Sequence, residues 1–258
     1  MELVELLKPL NGGVICVSGA GGKSSLMYRL GSALERAGHR VLCTSTGSLF
    51  PPPPEYYVMV EEKLTEADLP ENIPMVIVAA KDPAKAPRLR GYSVQEIEEM
   101  HRLKKTDWII VEVGASQGRP VFAHEAGGIA FPNCTDMVIG MVGLNALGQY
   151  LDDIWVNGVE KFASFGGQKA GERITGQGIA EFIISKDGLF LDAPAKAAKV
   201  AFLNQADAPG GQEKGRAIAA MVQELEKNPA GKPENVAKVY IGAALSGDAV
   251  IYECVEIK

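Results

Sequence analysis

The chain has 258 residues, of which 47% are hydrophobic and 22% are charged, and this balance is typical of a folded globular protein. The net charge of −6, from 32 acidic and 26 basic residues without a dense basic stripe, argues against nucleic-acid binding. No apolar stretch approaches the length of a transmembrane helix and the N-terminus resembles no signal peptide, so we expect a cytoplasmic protein without membrane contact.

Short apolar runs typical of β-strands alternate with patterns typical of amphipathic helices. Strands are predicted near residues 14–18, 40–44, 75–79, 108–113, 137–142 and 199–203, and helices near 24–37, 93–103, 176–184 and 214–226. Two further β-runs flank Ser246-Gly247-Asp248, whose residue types favour a turn, and predict a C-terminal hairpin. The alternation predicts an α/β fold with a mostly parallel sheet and helices on both faces. The length allows two smaller domains, but we expect residues 1–258 to form one.

The cysteines and histidines are dispersed along the chain. The four cysteines contain no C-x-x-C pair, and three of them lie in predicted strands, so we expect reduced thiols rather than disulfides or a metal site. They are Cys16, Cys43, Cys134 and Cys254. Of the three histidines, His124 is the one that lies in a segment resembling a functional site.

A glycine-rich turn joins the first predicted strand to the first predicted helix. Its glycines let several backbone N–H groups converge on an anion, the helix directs its positive end there, and a lysine adds a mobile charge. The pattern departs from G-x-x-x-x-G-K-[ST], because the first glycine would fall on Val17, and the alternative is a simple turn with a solvated lysine. We predict a P-loop NTPase-like fold that binds a nucleoside triphosphate, ATP or GTP, with Mg²⁺. The predicted phosphate-binding residues are Gly19, Ala20, Gly21, Gly22, Lys23, Ser24 and Ser25.

An acidic residue ends the predicted strand at 108–113. Parallel strands end at the same edge of a sheet, so Glu112 should emerge near Lys23, where a carboxylate can hold a metal ion or a metal-bound water. We therefore predict Ser24 and Glu112 as metal-binding residues and Lys23 and Glu112 as catalytic residues. The alternative is a strand-end acid that faces solvent. Three hydroxyl residues, Thr44-Ser45-Thr46, reach the same edge and either contact phosphate or cap a turn.

The sequence Asn204-Gln205-Ala206-Asp207 follows a late predicted strand and has the N-x-x-D spacing with which GTP-binding folds recognise guanine. A carboxylate at the fourth position can accept two N–H groups from the guanine edge, which adenine does not offer. We predict Asn204 and Asp207 as nucleotide-binding residues. The alternative is coincidence, because Gln205 replaces the usual lysine and a pattern with two fixed letters arises often.

The order of these motifs resembles the YqeC family, whose members are linked by context to selenium-dependent molybdenum hydroxylases. The similar segments are 18–52, 88–100, 108–127, 129–151 and 202–207. The resemblance implies a P-loop nucleotide-binding fold, an accessory role in the maturation of a selenium- or molybdenum-dependent enzyme, and a partner from that maturation. Positions that match the family pattern are Lys23, Ser24, Glu112, Pro120, Pro132, Gly143, Gly148, Asn204 and Asp207.

Several polar positions of the family pattern are changed in this chain. The family's E-A-D-G is Glu112-Val113-Gly114-Ala115, so glycine stands where the family has an aspartate. The lysine-proline stretch is Val121-Phe122-Ala123, His-Glu-Pro is Gly127-Gly128-Ile129, and His-Arg-Pro-Glu is Asn157-Gly158-Val159-Glu160. These losses beside a retained phosphate loop suggest that nucleotide is still bound, while the second substrate or the reaction has changed or catalysis has been lost.

Three hypotheses about function follow from these observations. The first is an accessory or maturation factor that uses nucleotide hydrolysis or phosphoryl transfer. The second is a catalytically silent nucleotide- or anion-binding module, which meets a partner protein through the glycine-rich surface at 164–178. The third is an enzyme of the amide-ligase type, since such enzymes also begin with G-x-x-G-K loops.

Overall fold

A computed structural model describes residues 1–8, 10–61, 73, 75–81, 88–227, 235–245 and 250–257. The helices are α1 Lys23–Arg36, α2 Val94–Leu103, α3 Val159–Ala163, α4 Gly176–Ile184 and α5 Gly211–Lys227. The strands are β1 Gly13–Gly19, β2 Val41–Ser45, β3 Ser48–Leu49, β4 Val58–Val60, β5 Met75–Lys81, β6 Leu89–Arg90, β7 Trp108–Glu112, β8 Val121–Phe122, β9 Thr135–Gly143, β10 Val156–Asn157, β11 Ala198–Asn204, β12 Val236–Ala243 and β13 Val250–Glu256.

Most strands belong to one large sheet with the order β13-β12-β11-β9-β1-β7-β2-β5-β6-β3, and β4 pairs with β5. Neighbours from β12 to β5 are parallel, whereas β13 and the short strands β6 and β3 pair antiparallel. The predicted α/β fold with a mostly parallel sheet is thus confirmed. The strands β12 and β13 form the expected C-terminal antiparallel pair, and Ser246-Gly247-Asp248 lies outside the described residues.

Hydrophobic cores lie on both faces of the sheet because successive strand residues point to opposite sides. In β1, Val14 and Cys16 belong to one core, and Ile15 and Val17 belong to the other. Helix α1 covers the second core, whereas α2, α4 and α5 cover the first. The expected helices on both faces are present. Within the described residues, no helix is long and apolar enough to cross a membrane.

The strand order determines what lies beside the turn at the end of β1. In a doubly wound sheet of order 3-2-1-4-5-6, the second long strand lies next to the first. Here β7 lies between β1 and β2, and Glu112 pairs in register with Val17 on one side and with Ser45 on the other. The carboxylate at the end of β7 is therefore brought to the turn between β1 and α1.

Helix α5 begins at Gly211, three residues before the predicted start at 214. Its first turn lacks apolar periodicity because Gly211 packs by backbone contact. A Cβ atom at this glycine would lie 2.8 Å from the Cα atom of Ala206. The small strands and α3 were not predicted, since elements of two to five residues carry no measurable period.

Candidate functional site

The turn between β1 and α1 depends on glycines with positive φ angles. Gly19 has a φ of +78° and Gly21 a φ of +76°, a region that residues with side chains rarely adopt. A Cβ atom at Gly21 would lie 2.7 Å from the backbone nitrogen of Gly143, and one at Gly19 would collide with the carbonyl oxygen of Met141. The glycine-rich loop therefore packs closely against the end of β9.

The backbone N–H groups of the loop fall into two sets. The N–H of Ala20 donates to a carbonyl oxygen of β9 at 2.9 Å, and the N–H of Gly21 donates to the carbonyl oxygen of Arg119 at 3.2 Å. Gly22 caps α1 without a side-chain hydrogen bond, and the N–H groups of a first helical turn have no partner within the helix. The loop N–H groups that take part in neither of these two hydrogen bonds are those of residues 22–25, the second half of the predicted loop.

Lys23 is buried, with 4% of its surface exposed. Its Nζ atom donates to the carbonyl oxygen of Gly19 at 3.1 Å and to the Ser116 hydroxyl at 3.2 Å, and lies 3.6 Å from Oε1 of Glu112. The expectation of a mobile charge, and the alternative of a solvated lysine, are therefore wrong. Burial lowers the pKa of Lys23, and the negative charge of Glu112 opposes this shift.

Ser24 and Glu112 form a short hydrogen bond at the same place. The Ser24 hydroxyl donates to Oε2 of Glu112 at 2.6 Å, while Oε1 of the same carboxylate faces Lys23. Because the serine proton is directed to the carboxylate, the lone pairs of its oxygen are directed elsewhere and can accept a cation. A hydroxyl and a carboxylate are the hard oxygen ligands that suit Mg²⁺. The alternative of a strand-end acid facing solvent does not describe Glu112.

These two residues alone do not make a complete metal site. Within the described part of the chain, no group of three or more His, Cys, Asp or Glu side chains is placed to hold a metal ion. Mg²⁺ is commonly bound by one or two protein oxygens together with waters and substrate phosphates. The donor set of Ser24 and Glu112 fits a cation that arrives with a polyphosphate.

The three hydroxyl residues Thr44, Ser45 and Thr46 lie at the end of β2 and make different contacts. The Thr44 hydroxyl donates to a carbonyl oxygen of β5 at 2.9 Å and joins β2 to that strand, whereas the Ser45 hydroxyl accepts from the N–H of Gly47 at 2.9 Å and caps the local turn. The N–H of Thr46 donates to the carbonyl oxygen of Glu112 at 3.0 Å. Because Ser45 also pairs in register with Glu112, two of the three hydroxyl residues, Ser45 and Thr46, lie beside Glu112.

The N-x-x-D segment lies beside the glycine-rich loop. The Asn204 side chain donates to the carbonyl oxygen of Gly21 at 2.6 Å and accepts from the N–H of Ala244 at 2.8 Å. Asp207 lines a pocket of about 260 Å³ that also has Gly21 and Ser25 in its walls. The structure thus brings Asn204 and Asp207 to the loop, although 180 residues separate them in sequence from it.

The positions that depart from the family pattern lie together in space. Phe122 in β8 pairs in register with Asn157 in β10, and Gly158 follows directly. A Cβ atom at Gly114 would lie 3.0 Å from the Phe122 ring. The Asn157 side chain donates to the carbonyl oxygen of Ala115 at 3.1 Å. This cluster lies beyond the end of β7, next to the loop that carries Ser116.

His124 lies beside the same cluster, with its ring centroid 5.4 Å from that of Phe122. Its Nδ1 atom is 3.0 Å from the Glu125 carbonyl oxygen and 3.6 Å from the carboxylate of Asp192. The Asp192 carboxylate also accepts from the N–H of Gly127, at 2.8 Å. These contacts join the segment after β8 to the turn before β11, and no spacing in the sequence indicates Asp192.

Ser116 and the carbonyl group of Arg119 are further contacts of the loop that sequence reasoning missed. They lie on the irregular segment after β7, which has no periodic pattern. The sequence gives no signal for the Arg119 contact, because a backbone carbonyl group is present at every position. It gives none for Ser116 either, because a single serine outside any motif is common. Only the fold places them against Lys23 and Gly21.

Comparison with known proteins places the chain in a family. The family model described as "YqeC protein" matches residues 15–160, more than half of the chain. The chain belongs to the YqeC family. A YqeC relative from Escherichia coli (strain K12), named "Uncharacterized protein YqeC", is 27% identical over 195 residues, which cover 74% of this chain and 75% of the relative. The YqeC match includes Lys23, Ser24 and Glu112 and ends before Asn204 and Asp207.

Proposed function

We propose that this YqeC-family protein binds an Mg²⁺-bound nucleoside triphosphate through a P-loop-like site. The observation that carries the proposal is the Ser24–Glu112 hydrogen bond of 2.6 Å, with Lys23 held 3.6 Å from the same carboxylate at the start of α1. In this proposal the N–H groups of residues 22–25 bind phosphate oxygens, and Lys23 contacts the β- and γ-phosphates.

The metal would be held by Ser24 and Glu112 with phosphate oxygens as further ligands, and it would supply positive charge against the triphosphate. Lys23 would exchange its bonds to Gly19 and Ser116 for phosphate oxygens. The gain is favourable because burial disfavours the lysine charge and a polyphosphate compensates it more fully than one carboxylate. Glu112 would keep its place through its pairing between β1 and β2.

For the cellular role, we propose an accessory or maturation factor for a selenium- or molybdenum-dependent hydroxylase. The support is family membership together with the resemblance that spans residues 18–207. Nucleotide binding or hydrolysis would drive delivery of a group or a conformational step in a partner from that maturation. The acidic and basic residues that the family pattern has beyond Glu112 are missing here at Gly114 and Phe122, so basal hydrolysis should be slow or absent.

A catalytically silent binding module remains the second candidate, and a specific observation favours it. Two N–H groups of the loop, those of Ala20 and Gly21, already donate to protein carbonyl groups. A loop with fewer free donors stabilises developing phosphate charge less well, which suits binding more than turnover. The glycine-rich surface at 164–178 would then meet the partner. Its Gln168 side chain accepts from Thr175 and donates to the Arg173 carbonyl group.

Isothermal titration calorimetry with ATP and GTP, each with and without Mg²⁺, tests the proposal. We expect binding that requires Mg²⁺ and that becomes about ten- to a hundredfold weaker when Lys23 is replaced. No binding of either nucleotide at millimolar concentration would overturn it. Phosphate release by the purified protein separates the two candidates, because the silent module predicts none even with a partner, whereas a turnover near 10 s⁻¹ without a partner would contradict slow basal hydrolysis.

A further inference from the structure

We propose that the pocket beside the phosphate loop selects guanine over adenine, and that Asp207 makes the selection. This inference rests on the proposed nucleotide binding and names the base. The pocket of about 260 Å³ is lined by the loop residues Gly22 and Ser25 together with Asp207 and Leu245. Since the loop itself lines the pocket, one ligand can place phosphates on the loop and a ring in the pocket.

Asn204 has a different role from the one that its motif suggests. Its buried amide is already bonded at both ends, to Gly21 and to Ala244, so it ties the loop to the end of β12. It is therefore a positioning residue that shapes both the loop and the pocket. We assign the choice of base to Asp207 because it lines the pocket and its carboxylate offers several acceptor lone pairs.

The acceptors of this pocket favour a base edge that carries N–H donors. Guanine presents N1–H and a 2-amino group side by side, and a carboxylate accepts both. Adenine presents the lone pair of N1 at the same place, which a carboxylate repels. Gln205 lines the same pocket, and its Oε1 atom is a buried acceptor without a hydrogen-bond partner among the described residues. A second acceptor adds to the preference for a ligand with several donors.

The expected preference is moderate because Asp207 lies at an exposed rim, where water competes for its carboxylate. We expect GTP to bind at least tenfold more tightly than ATP in the presence of Mg²⁺, a difference of about 1.4 kcal/mol. Fully buried polar sites discriminate far more strongly, since the wrong ligand leaves them unpaired.

The test is a calorimetric titration of GTP, ATP and xanthosine triphosphate into the wild-type protein and three variants. Asp207→Asn should lose the preference for GTP over ATP and gain affinity for xanthosine triphosphate, because an amide can donate to the carbonyl group at C2 of xanthine. Asp207→Ala should lose the preference without that gain. Asp187→Asn, at an exposed aspartate away from the pocket, should behave as wild type.

The outcomes distinguish a failure of guanine selection from a failure of nucleotide binding itself. Equal affinity of the wild type for GTP and ATP, with binding still dependent on Lys23, would overturn guanine selection and leave nucleotide binding intact. A GTP preference that survives Asp207→Asn and Asp207→Ala would also overturn the role of Asp207. Absence of binding by all three nucleotides would overturn the proposed function itself.

Discussion

Lys23 is the residue at which the predicted site and the observed site differ most. Sequence reasoning expects a solvent-exposed loop lysine that contributes little to packing. In the structure it is buried and belongs to a network with Glu112 and Ser116. Replacing one partner of a buried ion pair leaves the other charge without compensation. Substitution of Lys23 therefore affects folding as well as binding, and an experiment must separate the two.

We expect Lys23→Met to weaken nucleotide binding ten- to a hundredfold, since a charge-assisted hydrogen bond contributes about 1.5–3 kcal/mol. The same variant should lose about 3 kcal/mol of unfolding free energy, because Glu112 is left without its cation. The double variant Lys23→Met with Glu112→Gln should recover stability but not affinity. Titration calorimetry and urea unfolding measure the two quantities.

The matched control for this experiment is Lys186→Met, at an exposed lysine. It should leave affinity and stability unchanged within about 0.5 kcal/mol. Wild-type affinity in the Lys23→Met variant would remove the basis for a phosphate-binding lysine. A double variant as unstable as the single one would show that the loss came from packing rather than from the unpaired carboxylate.

Among the elements, the short parallel pair of β8 and β10 determines what lies beyond the end of β7. Phe122 in this pair packs against the Cα atom of Gly114, whose φ is +73°. The family's aspartate would need both a left-handed backbone and room that the Phe122 ring and Ile129 occupy. A side chain at position 114 therefore conflicts with the Phe122 ring in this chain.

We expect Gly114→Ala to destabilise the protein by about 1–2 kcal/mol more than Gly118→Ala. Both glycines have positive φ, so both variants carry the backbone cost of a side chain in that region. A Cβ atom at Gly118 meets nothing within 4 Å, whereas one at Gly114 lies 3.0 Å from atoms of Phe122 and Ile129. Urea unfolding measures the difference, and equal losses would contradict the packing argument.

The link between β11 and the glycine-rich loop allows a second test at the scale of elements. Asn204→Ala removes the partner of the Gly21 carbonyl group and of the Ala244 N–H, so we expect a loss of about 2 kcal/mol in unfolding free energy. GTP and ATP should weaken by the same factor, since this residue positions the loop and does not select the base. A variant that changes the ratio of the two affinities would contradict this role.

In the molecule as a whole, several groups that ionise in alkaline solution are buried in the two cores. Burial raises the pKa of Cys16 from its ordinary 9.0 to about 12, and burial also raises the pKa values of Cys43, Tyr28 and Tyr240. Burial lowers the pKa of Lys23. The two cysteines and two tyrosines keep their protons to a higher pH in the folded state than in the unfolded state. Lys23 loses its proton at a lower pH in the folded state.

We expect the free energy of unfolding to decrease as the pH rises above about 9. There the unfolded chain releases thiol and phenol protons that the folded chain retains, and each such group contributes up to about 1.4 kcal/mol per pH unit. Among the described residues the pKa shift of Lys23 has the opposite sign, but it is one group against six, because the pKa values of Cys134 and Cys254 are raised as well. Urea unfolding at pH 8, 9 and 10 measures the slope, which should be shallower in the Cys16→Ala variant. A stability that rises across this range would contradict the prediction.

Much of the fold could be predicted because it depends on patterns that are local in the chain. The apolar runs that became β1, β7, β9 and β11 and the periodic faces that became α1 and α5 are each readable within one segment. Alternation of such segments favours a parallel sheet covered on both faces. The turn at Gly19–Ser25 and the acid at Glu112 could likewise be assigned to the same edge, since parallel strands end together.

The sequence by itself determined which long helices and strands form and which residues reach the ends of those strands. The tertiary structure decided what those residues contact: β7 lies between β1 and β2, so Glu112 meets Ser24 and Lys23 is buried rather than solvated. It also decided that Asn204 ties the loop to β12 and that Phe122 occupies the space beside Gly114. The physical reason is that strand order, burial and hydrogen bonding are set by packing between segments far apart in the chain, for which no local pattern exists.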